Sequence, residues 1–468
     1  MQTGSSSRFG QNVALLIFLV LLILAPRPLA GWLDLASARR FEAAGDPASA
    51  AVEYASAARR LVWRADLWEQ AGLAALEAGQ PEEAIPYLEN ASENLTLSVD
   101  GCLALGDAWA ETGELPAAMA AWQKCSMSGL AYERMAQAHR GMGDYPAALQ
   151  DLRTLVTLEP QAAHAHYELA LFLAAADPQS ALPELIRAAQ LDSSLNAQVE
   201  PLRLSLNSAL LSDDEPYRFL LAGRLLGARD EWDLAAEAFR RSVLLRPDYA
   251  SGWAWLGEAK QHLGQDGRPD LEQAFQLDPA SAMINVLYGM YWQRQGQTQK
   301  ALQAFQTAVK LEPETASWRV ALGSAYEQTG GLTQAVAEYL RAVELDPQDA
   351  SAWQALALFS VTNGYDLAGT GLWAAQTLLK LAPDDWSSHD VAGQVTFALG
   401  NIGEAQHQYK EAINLAPGQP GPHLHLALVY LECGERLAAQ DELEAARSLD
   451  PDGPVGWQAG RLLEGYFP

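Results

Sequence analysis

The sequence predicts an all-α protein built from about twelve helix-turn-helix units. The clearest evidence lies between residues 299 and 347, where one pattern occurs twice. A small, an aromatic and a small residue, spaced by four and then three positions, occur as Ala301, Phe305 and Ala308 and again, 34 positions later, as Ala335, Tyr339 and Ala342. This spacing places the three side chains on one face of a helix. A fixed period of 34 residues indicates that one helical hairpin is repeated.

The first small residue of the triplet, which we call the marker residue, identifies the second helix of every unit. It occurs at Ala50, Ala84, Ala118, Ala148, Ala181, Ala235, Gly267, Ala301, Ala335, Gly371, Ala405 and Ala439. Six of the eleven gaps between successive markers are 34 residues long. The regularity of these gaps is what sets the number of repeats at about twelve.

Two glycines and a proline predict the hairpin within each unit. Gly323 lies in the first helix, where a glycine costs ~1 kcal/mol relative to alanine, so we expect a neighbouring helix to approach it closely. Gly330 follows, and glycine readily adopts the left-handed conformation that ends a helix. Pro347 comes after the second helix, where it stops that helix or starts the next. Most units repeat this order.

With these positions assigned, the chain resembles the tetratricopeptide repeat family. The family pattern is W-x2-LG-x2-Y, then A-x3-F, then alanine and a terminal proline. Trp253 and Trp353 stand in the tryptophan position, and Trp292 and Tyr326 in the tyrosine position. The resemblance covers roughly residues 34–465 and implies hairpins stacked into a right-handed superhelical solenoid. It also implies a concave groove lined by the first helices.

Breaks in the repeat pattern predict how the chain is organised. Between the markers Ala181 and Ala235, 20 extra residues include a leucine stripe that predicts one added helix. After Pro451, Trp457 and Leu462 lie on an amphipathic helix expected to cap the last repeat. The predicted segments are a flexible N-terminus (1–12), a transmembrane anchor or signal segment (13–33), a front segment of about five repeats (34–192), an irregular insert with the extra helix (193–215), a back segment of about seven repeats (216–451) and the C-terminal capping helix (452–468).

An apolar run near the N-terminus predicts a membrane-targeting element. Val13 to Ala25 holds thirteen consecutive apolar residues, fewer than the ~20 that span a bilayer. Extension to Leu33 would add length at the cost of Arg27 and two prolines. We expect an uncleaved single-pass anchor, with a cleaved signal peptide as the alternative. Positive charges on the two sides nearly balance, and an exported, extracytoplasmic array is favoured.

Composition excludes several function classes. The formal net charge of -27 disfavours binding to nucleic-acid phosphates.

The three cysteines are too few and odd in number for a disulfide framework, and Cys102 and Cys125 are expected to pack as small buried side chains. The paired histidines, for example His423 and His425, have i,i+2 spacing, which places them on different helix faces, so no metal site is predicted. No nucleotide-binding or hydrolase motif occurs, and no cofactor is expected.

The candidate functional site is the inward face of the first helices in the back segment. In chaperone-binding members of the family, lysines and asparagines there clamp a partner's terminal carboxylate, and this clamp is absent here. The surface is instead neutral to acidic and becomes apolar towards its end, which favours an amphipathic or basic partner segment. The predicted partner-binding residues are Glu258, Gln261, Met290, Gln293, Ser324, Glu327, Leu358, Asp390, Gln394, Phe397, Leu428 and Leu431.

We therefore expect a membrane-tethered scaffold or adaptor that binds a protein or peptide partner and is not an enzyme. Two alternatives stay open: a substrate-recruiting component that works with a separate transferase, and an envelope-assembly component that self-associates. We expect no appended catalytic domain, because the predicted array extends to Pro468, and this expectation favours the scaffold.

Overall fold

The computed structural model describes residues 26–125 and 127–467. Within those residues it contains 26 α-helices and no strand. The first helices of successive hairpins are α1 (Pro26–Ala43), α3 (Asp66–Glu77), α5 (Val99–Glu111), α7 (Gly129–Gly141), α9 (Ala163–Ala176), α12 (Glu215–Gly227), α14 (Ala250–His262), α16 (Ala282–Arg294), α18 (Ala316–Gln328), α20 (Ala350–Asn363), α22 (Trp386–Ala398) and α24 (Pro420–Cys433).

The second helices alternate with them. They are α2 (Pro47–Arg60), α4 (Pro81–Asn94), α6 (Leu115–Lys124), α8 (Tyr145–Leu158), α10 (Pro178–Leu191), α13 (Trp232–Leu245), α15 (Arg268–Leu277), α17 (Thr298–Leu311), α19 (Leu332–Leu345), α21 (Leu372–Leu381), α23 (Ile402–Leu415) and α25 (Arg436–Leu449). Helix α11 (Asn196–Leu210) is the additional helix, and α26 (Pro454–Tyr466) packs on α25 as a cap. The predicted fold class of helix-turn-helix repeats with a capping helix is confirmed.

The glycine inside the first helix accommodates the aromatic ring of the second. A Cβ atom placed on Gly323 would lie 2.8 Å from Cε1 of Tyr339, and one on Gly289 would lie 2.8 Å from Cε1 of Phe305. Any side chain at these glycines would therefore push the two helices of the hairpin apart. Tyr339 and Phe305 are almost completely buried as a result. The close approach that the sequence predicted is confirmed.

A glycine is required at the turn for a different reason. Gly330 has a φ of 81° and no atom within 4 Å of a Cβ placed on it. Its requirement is therefore the left-handed backbone conformation, which side chains with a Cβ atom disfavour. In the hairpin formed by α12 and α13, Asp230 takes the same conformation with a φ of 66°.

The chain divides into two compact units, residues 1–238 and residues 239–468, which we call unit 1 and unit 2. In unit 1 the additional helix α11 packs against α10 and α12. Arg140, at the end of α7, donates hydrogen bonds of 2.6 Å from Nε and Nη2 to Asp233 and a further one to Glu231. This bidentate contact joins residues more than 90 positions apart in sequence, across the region of the insert.

The predicted single-pass membrane anchor over residues 13–33 is wrong. Residues 26–33 belong to α1, which packs on α2 and buries Leu35 and Ala38 in the first hairpin. In the part of the chain that the structure describes, no helix has both the length and the apolar character needed to cross a bilayer. The run Val13–Ala25 lies outside the described residues. The extracytoplasmic location was inferred from the anchor and is withdrawn with it.

The prediction of separate thiols at Cys102 and Cys125 is also wrong, although both side chains are buried as expected. The two cysteines form a disulfide between the beginning of α5 and the residue that follows α6, with their Cα atoms 6.2 Å apart. The hairpin fold brings them together because the end of the second helix returns to the start of the first. Cys433 remains a free, exposed thiol.

Candidate functional site

The predicted partner-binding residues all lie on the first helices of unit 2. In this unit each first helix, from α14 to α24, packs against the next first helix. We call the set of predicted site residues on these first helices the inner face. Its predicted members are Glu258 and Gln261 on α14, Met290 and Gln293 on α16, Ser324 and Glu327 on α18, Leu358 on α20, Asp390, Gln394 and Phe397 on α22, and Leu428 and Leu431 on α24.

Glu258, the first of the three acidic members, is neutralised by the neighbouring first helix. It is 2% exposed, and Nη1 of Arg294 on α16 donates a hydrogen bond of 2.9 Å to its Oε2. Nη2 of the same guanidinium contacts Oε1, so the pair is bidentate. These contacts raise the pKa of Arg294 above its ordinary value. Glu258 thus connects two repeats and presents no free negative charge to a ligand.

Glu327 also connects two successive first helices, two repeats further along the chain. Its Oε1 accepts a hydrogen bond of 2.6 Å from Nδ2 of Asn363 on α20, and its Oε2 accepts one of 3.1 Å from the hydroxyl of Tyr339. Burial, followed by the nearby Glu327 carboxylate, raises the pKa of Tyr339 far above its usual value. The hydroxyl therefore stays protonated and donates to the carboxylate.

Asp390 repeats the arrangement near the end of the face. It is 7% exposed; its Oδ1 lies 2.7 Å from Nδ1 of His425 on α24, and its Oδ2 accepts a hydrogen bond of 2.9 Å from Nε2 of Gln394. All three carboxylates of the predicted site are therefore bound to residues of this chain. Apart from these hydrogen-bonded carboxylates, the predicted members of the inner face carry amide, hydroxyl and apolar side chains.

The apolar members of the inner face are only partly buried. Met290 and Leu358 pack against the cores of their own repeats. Phe397 and Leu431 join a cluster around Tyr430 near the C-terminal end of the unit. Such side chains are anchored by the fold while part of their surface remains available to a ligand, as in the core of many interfaces.

The tryptophan position of the repeat is occupied by different residue types that can donate a hydrogen bond. Nε1 of Trp353 donates a hydrogen bond of 2.9 Å to the carbonyl of Pro347, six residues earlier. In the last hairpin, Nε2 of His423 lies 3.3 Å from the carbonyl of Pro417 in the same geometry. Nδ1 of His423 lies 2.6 Å from Oε2 of Glu442 on α25. Since both partners only accept hydrogen bonds, the doubly protonated ring is favoured and the pKa of His423 is raised, with Glu442 as the main cause.

The tryptophans that the repeat pattern does not require occupy different environments. Trp63 and Trp373 are 60% and 50% exposed. Trp373 also contacts Trp353 edge to face, with 4.5 Å between the ring centroids. Trp255 stacks on Phe239 and is half-buried. Trp255 on α14 and the fourth tryptophan of this kind, Trp386 at the start of α22, belong to first helices of unit 2.

Unit 1 contains a cavity that the sequence did not predict. It has a volume of about 320 Å³ and is lined by residues of α3, α5, α6 and α7, among them Asp107, Trp122 and Arg134. Asp107 accepts a hydrogen bond of 3.1 Å from Nε1 of Trp122 and pairs with Nη1 of Arg134 at 3.0 Å. Burial raises the pKa of Asp107 despite these contacts. The only feature of the sequence that could have indicated this cavity is the charged residue directly after the Leu105-Gly106 pair.

The structure shows no metal-binding site in residues 26–125 and 127–467. Within those ranges no three His, Cys, Asp or Glu side chains come close enough to hold an ion. Histidines such as His423 and His389 instead contact neighbouring carboxylates, amides and backbone carbonyls.

The succession of hairpins places the chain among the α-helical repeat proteins, in which each repeat packs on its neighbouring repeats. The tetratricopeptide repeat family model matches three stretches, residues 69–124, 133–196 and 289–350. The matches fall in both units. No curated protein matches the chain at a significant level.

Several solved structures share part of this helical arrangement. The APC/C hetero-tetramer Cut9–Hcn1 shares 17% identity over 96% of this chain and 91% of that one, with a TM-score of 0.43. Yeast Tom70 shares 13% identity over 86% and 95%, with a TM-score of 0.40. YrrB, described as a TPR protein with an unusual peptide-binding site, shares 17% identity over 41% and 97%, with a TM-score of 0.31. No functional conclusion follows from similarities of this size.

Proposed function

We propose that the chain is a non-catalytic protein-interaction scaffold that binds a partner segment along the inner face of unit 2. The observation that carries this proposal is that the carboxylates of Glu258, Glu327 and Asp390 are each hydrogen-bonded to a residue of the next first helix. Beside these carboxylates, the consecutive first helices carry half-buried amide, hydroxyl and apolar side chains, which support this proposal. A face of this kind suits an amphipathic helix or extended segment better than a strongly basic one.

The bridges between first helices also favour binding energetically. Each of them fixes one first helix relative to the next, so the side chains of the inner face are already positioned before a partner arrives. Less conformational entropy is then lost on association. The apolar end around Phe397 and Leu428 is proposed as the centre of the contact, because buried apolar anchors contribute most of the energy of an interface.

The test compares two leucine variants of the purified protein. Leu428→Glu introduces a charge on the inner face, and Leu437→Glu introduces the same charge on α25, at a side chain that is 80% exposed. Proteins captured from the native host are identified by cross-linking and mass spectrometry, and binding is then measured with the purified partner. We expect Leu428→Glu to abolish binding and Leu437→Glu to retain it.

Two controls accompany this comparison. Circular dichroism confirms that both variants fold, and light scattering shows whether the chain binds copies of itself. Equal binding by both folded variants would place the partner elsewhere. A partner that proves to be a second copy of this chain would favour the self-association alternative.

A further inference from the structure

A cavity of about 480 Å³ lies in unit 2, on a surface formed by two second helices, α15 and α17, and the first helix α16 between them. Its walls include Arg268, Phe275, Tyr288, Trp292 and Lys300. The inner face, in contrast, consists of first helices only. The cavity is therefore a different surface from the one proposed above for partner binding. Its volume falls within the range of small-ligand and peptide side-chain sites.

The cavity coincides with a local departure from the repeat. Helix α15 has 10 residues and begins at Arg268, directly after its marker residue Gly267. In α17, which has 14 residues, the marker Ala301 is the fourth residue. Helix α15 thus lacks the turn that precedes the marker in a regular repeat. Arg268, its first residue, borders the cavity and lies 5.8 Å from the ring centroid of Trp292.

Aromatic rings form one continuous wall of the cavity. Phe275 stacks on Tyr288 with 5.6 Å between centroids and an interplanar angle of 25°. Tyr288 meets Trp292 edge to face at 5.4 Å. Phe275 is 37% exposed, so its ring is available for a further stacking contact. Offset stacking on such a wall favours an aromatic side chain over an aliphatic one of similar area.

Two cations stand beside this wall. Nζ of Lys300 lies 4.0 Å from the ring centroid of Trp292, and no ion pair joins Lys300 to a carboxylate in the described part of the chain. Arg268 pairs with Glu272 at 2.6 Å, a contact in which both side chains are exposed. Two positive groups and one carboxylate make a locally cationic site on a protein whose net charge is -27.

We propose that this cavity binds an acidic peptide segment that carries an aromatic residue. The aromatic ring of the ligand stacks on Phe275, and a neighbouring carboxylate of the ligand pairs with Lys300 and Arg268. Arg268 then exchanges part of its exposed contact with Glu272 for a contact inside the cavity, where the charges are less well hydrated and attract more strongly. This proposal does not depend on binding at the inner face, so an experiment that disproves one site does not disprove the other.

The test uses three short peptides and the full-length protein. Acetyl-Glu-Asp-Phe-Asp-Glu-amide carries both features, acetyl-Glu-Asp-Ala-Asp-Glu-amide lacks the ring, and acetyl-Lys-Lys-Phe-Lys-Lys-amide reverses the charge. Isothermal titration calorimetry measures each Kd. We expect saturable binding of the first peptide with a Kd below about 1 mM and much weaker binding of the other two. Because the protein is strongly acidic, non-specific attraction would favour the basic peptide, so a preference for the acidic one requires a specific site.

Variants locate the binding to this cavity. Lys300→Glu is expected to weaken binding of the acidic aromatic peptide by about tenfold or more. Lys310→Glu makes the same change at an exposed position on the same helix, outside the cavity, and is expected to change the Kd by less than about twofold. Phe275→Ala, at an exposed side chain, removes the stacking surface and is expected to abolish the preference for phenylalanine over alanine in the peptide. Equal effects of the two lysine variants, or stronger binding of the basic peptide, would overturn the proposal.

Discussion

Arg294 donates a hydrogen bond of 2.9 Å to Glu258 on the preceding first helix, and the acceptor carboxylate belongs to a residue that is only 2% exposed. The contact joins residues 36 positions apart, slightly more than one repeat. Asn363 and Glu327 are also 36 positions apart, and His425 and Asp390 are 35 apart. Polar bridges at about one repeat length therefore hold successive first helices together, in addition to the apolar core of each hairpin.

The first prediction concerns the Arg294 bridge. Arg294→Ala leaves the buried Glu258 carboxylate without its main partner, which we expect to cost about 1–3 kcal/mol, less than for a fully buried pair because Arg294 is partly exposed. The midpoint of urea denaturation, followed by circular dichroism, should fall accordingly. Arg341→Ala is the matched control, because Arg341 pairs with the exposed Glu314 and Glu344 and its replacement should cost less than about 1 kcal/mol. Equal midpoints for the two variants would show that the bridge does not stabilise the array.

The second prediction concerns the close approach within the hairpin. A Cβ atom on Gly323 would lie 2.8 Å from Tyr339, so Gly323→Ala should overpack the hairpin and destabilise it by about 1–3 kcal/mol. Gly403 lies in helix α23 with nothing within 4 Å of a Cβ at that position. Gly403→Ala should therefore be neutral or stabilise by up to about 1 kcal/mol, owing to the better helix propensity of alanine. Thermal unfolding of both variants measures the difference, and a stabilised Gly323→Ala variant would contradict the packing described here.

The third prediction counts thiols. With Cys102 and Cys125 in a disulfide and Cys433 free, the denatured, unreduced protein should react with one equivalent of a maleimide, and the reduced protein with three. Reduction should also lower stability by roughly 2–4 kcal/mol, because the link closes a loop between α5 and the end of α6. Mass spectrometry of the labelled peptides identifies the reactive positions. Three reactive thiols before reduction would show that the disulfide is absent from the purified protein.

The fourth prediction concerns pH. The raised pKa of His423 means that its contact with Glu442 stabilises the folded state fully below the unfolded pKa of about 6.5. This contribution is lost as the pH rises through the higher pKa of the folded state. The difference in Tm between the wild-type protein and His423→Gln should therefore be largest near pH 5.5 and shrink towards pH 8.5.

The control for the pH measurement is His407→Gln, at an exposed position on α23. The ring of His407 forms no hydrogen bond or ion pair in the described residues, and its replacement should leave the pH dependence of Tm unchanged. Identical pH profiles for both variants would exclude a stabilising role of the charged His423 ring.

The hairpins could be predicted because their determinants are local. The spacing of Ala335, Tyr339 and Ala342 defines one face of a helix, and Gly330 specifies a turn through its own backbone conformation. The positions of the candidate site residues on first helices followed from the same period. Their chemical state did not, because the partners of Glu258 and Asp390 lie on the next hairpin. Neither residue shows in the sequence which side chain its carboxylate contacts.

The sequence by itself therefore determined the repeat length, the alternation of two helices and the capping helix, since each depends on side chains within a few turns of one another. Tertiary structure alone decided that residues 26–33 belong to a packed first helix, that Cys102 lies beside Cys125, and that a cavity lies between the shortened α15 and Trp292. These features depend on distances between side chains on different helices. A helical period fixes the face on which a residue lies, and only packing fixes which residue it meets there.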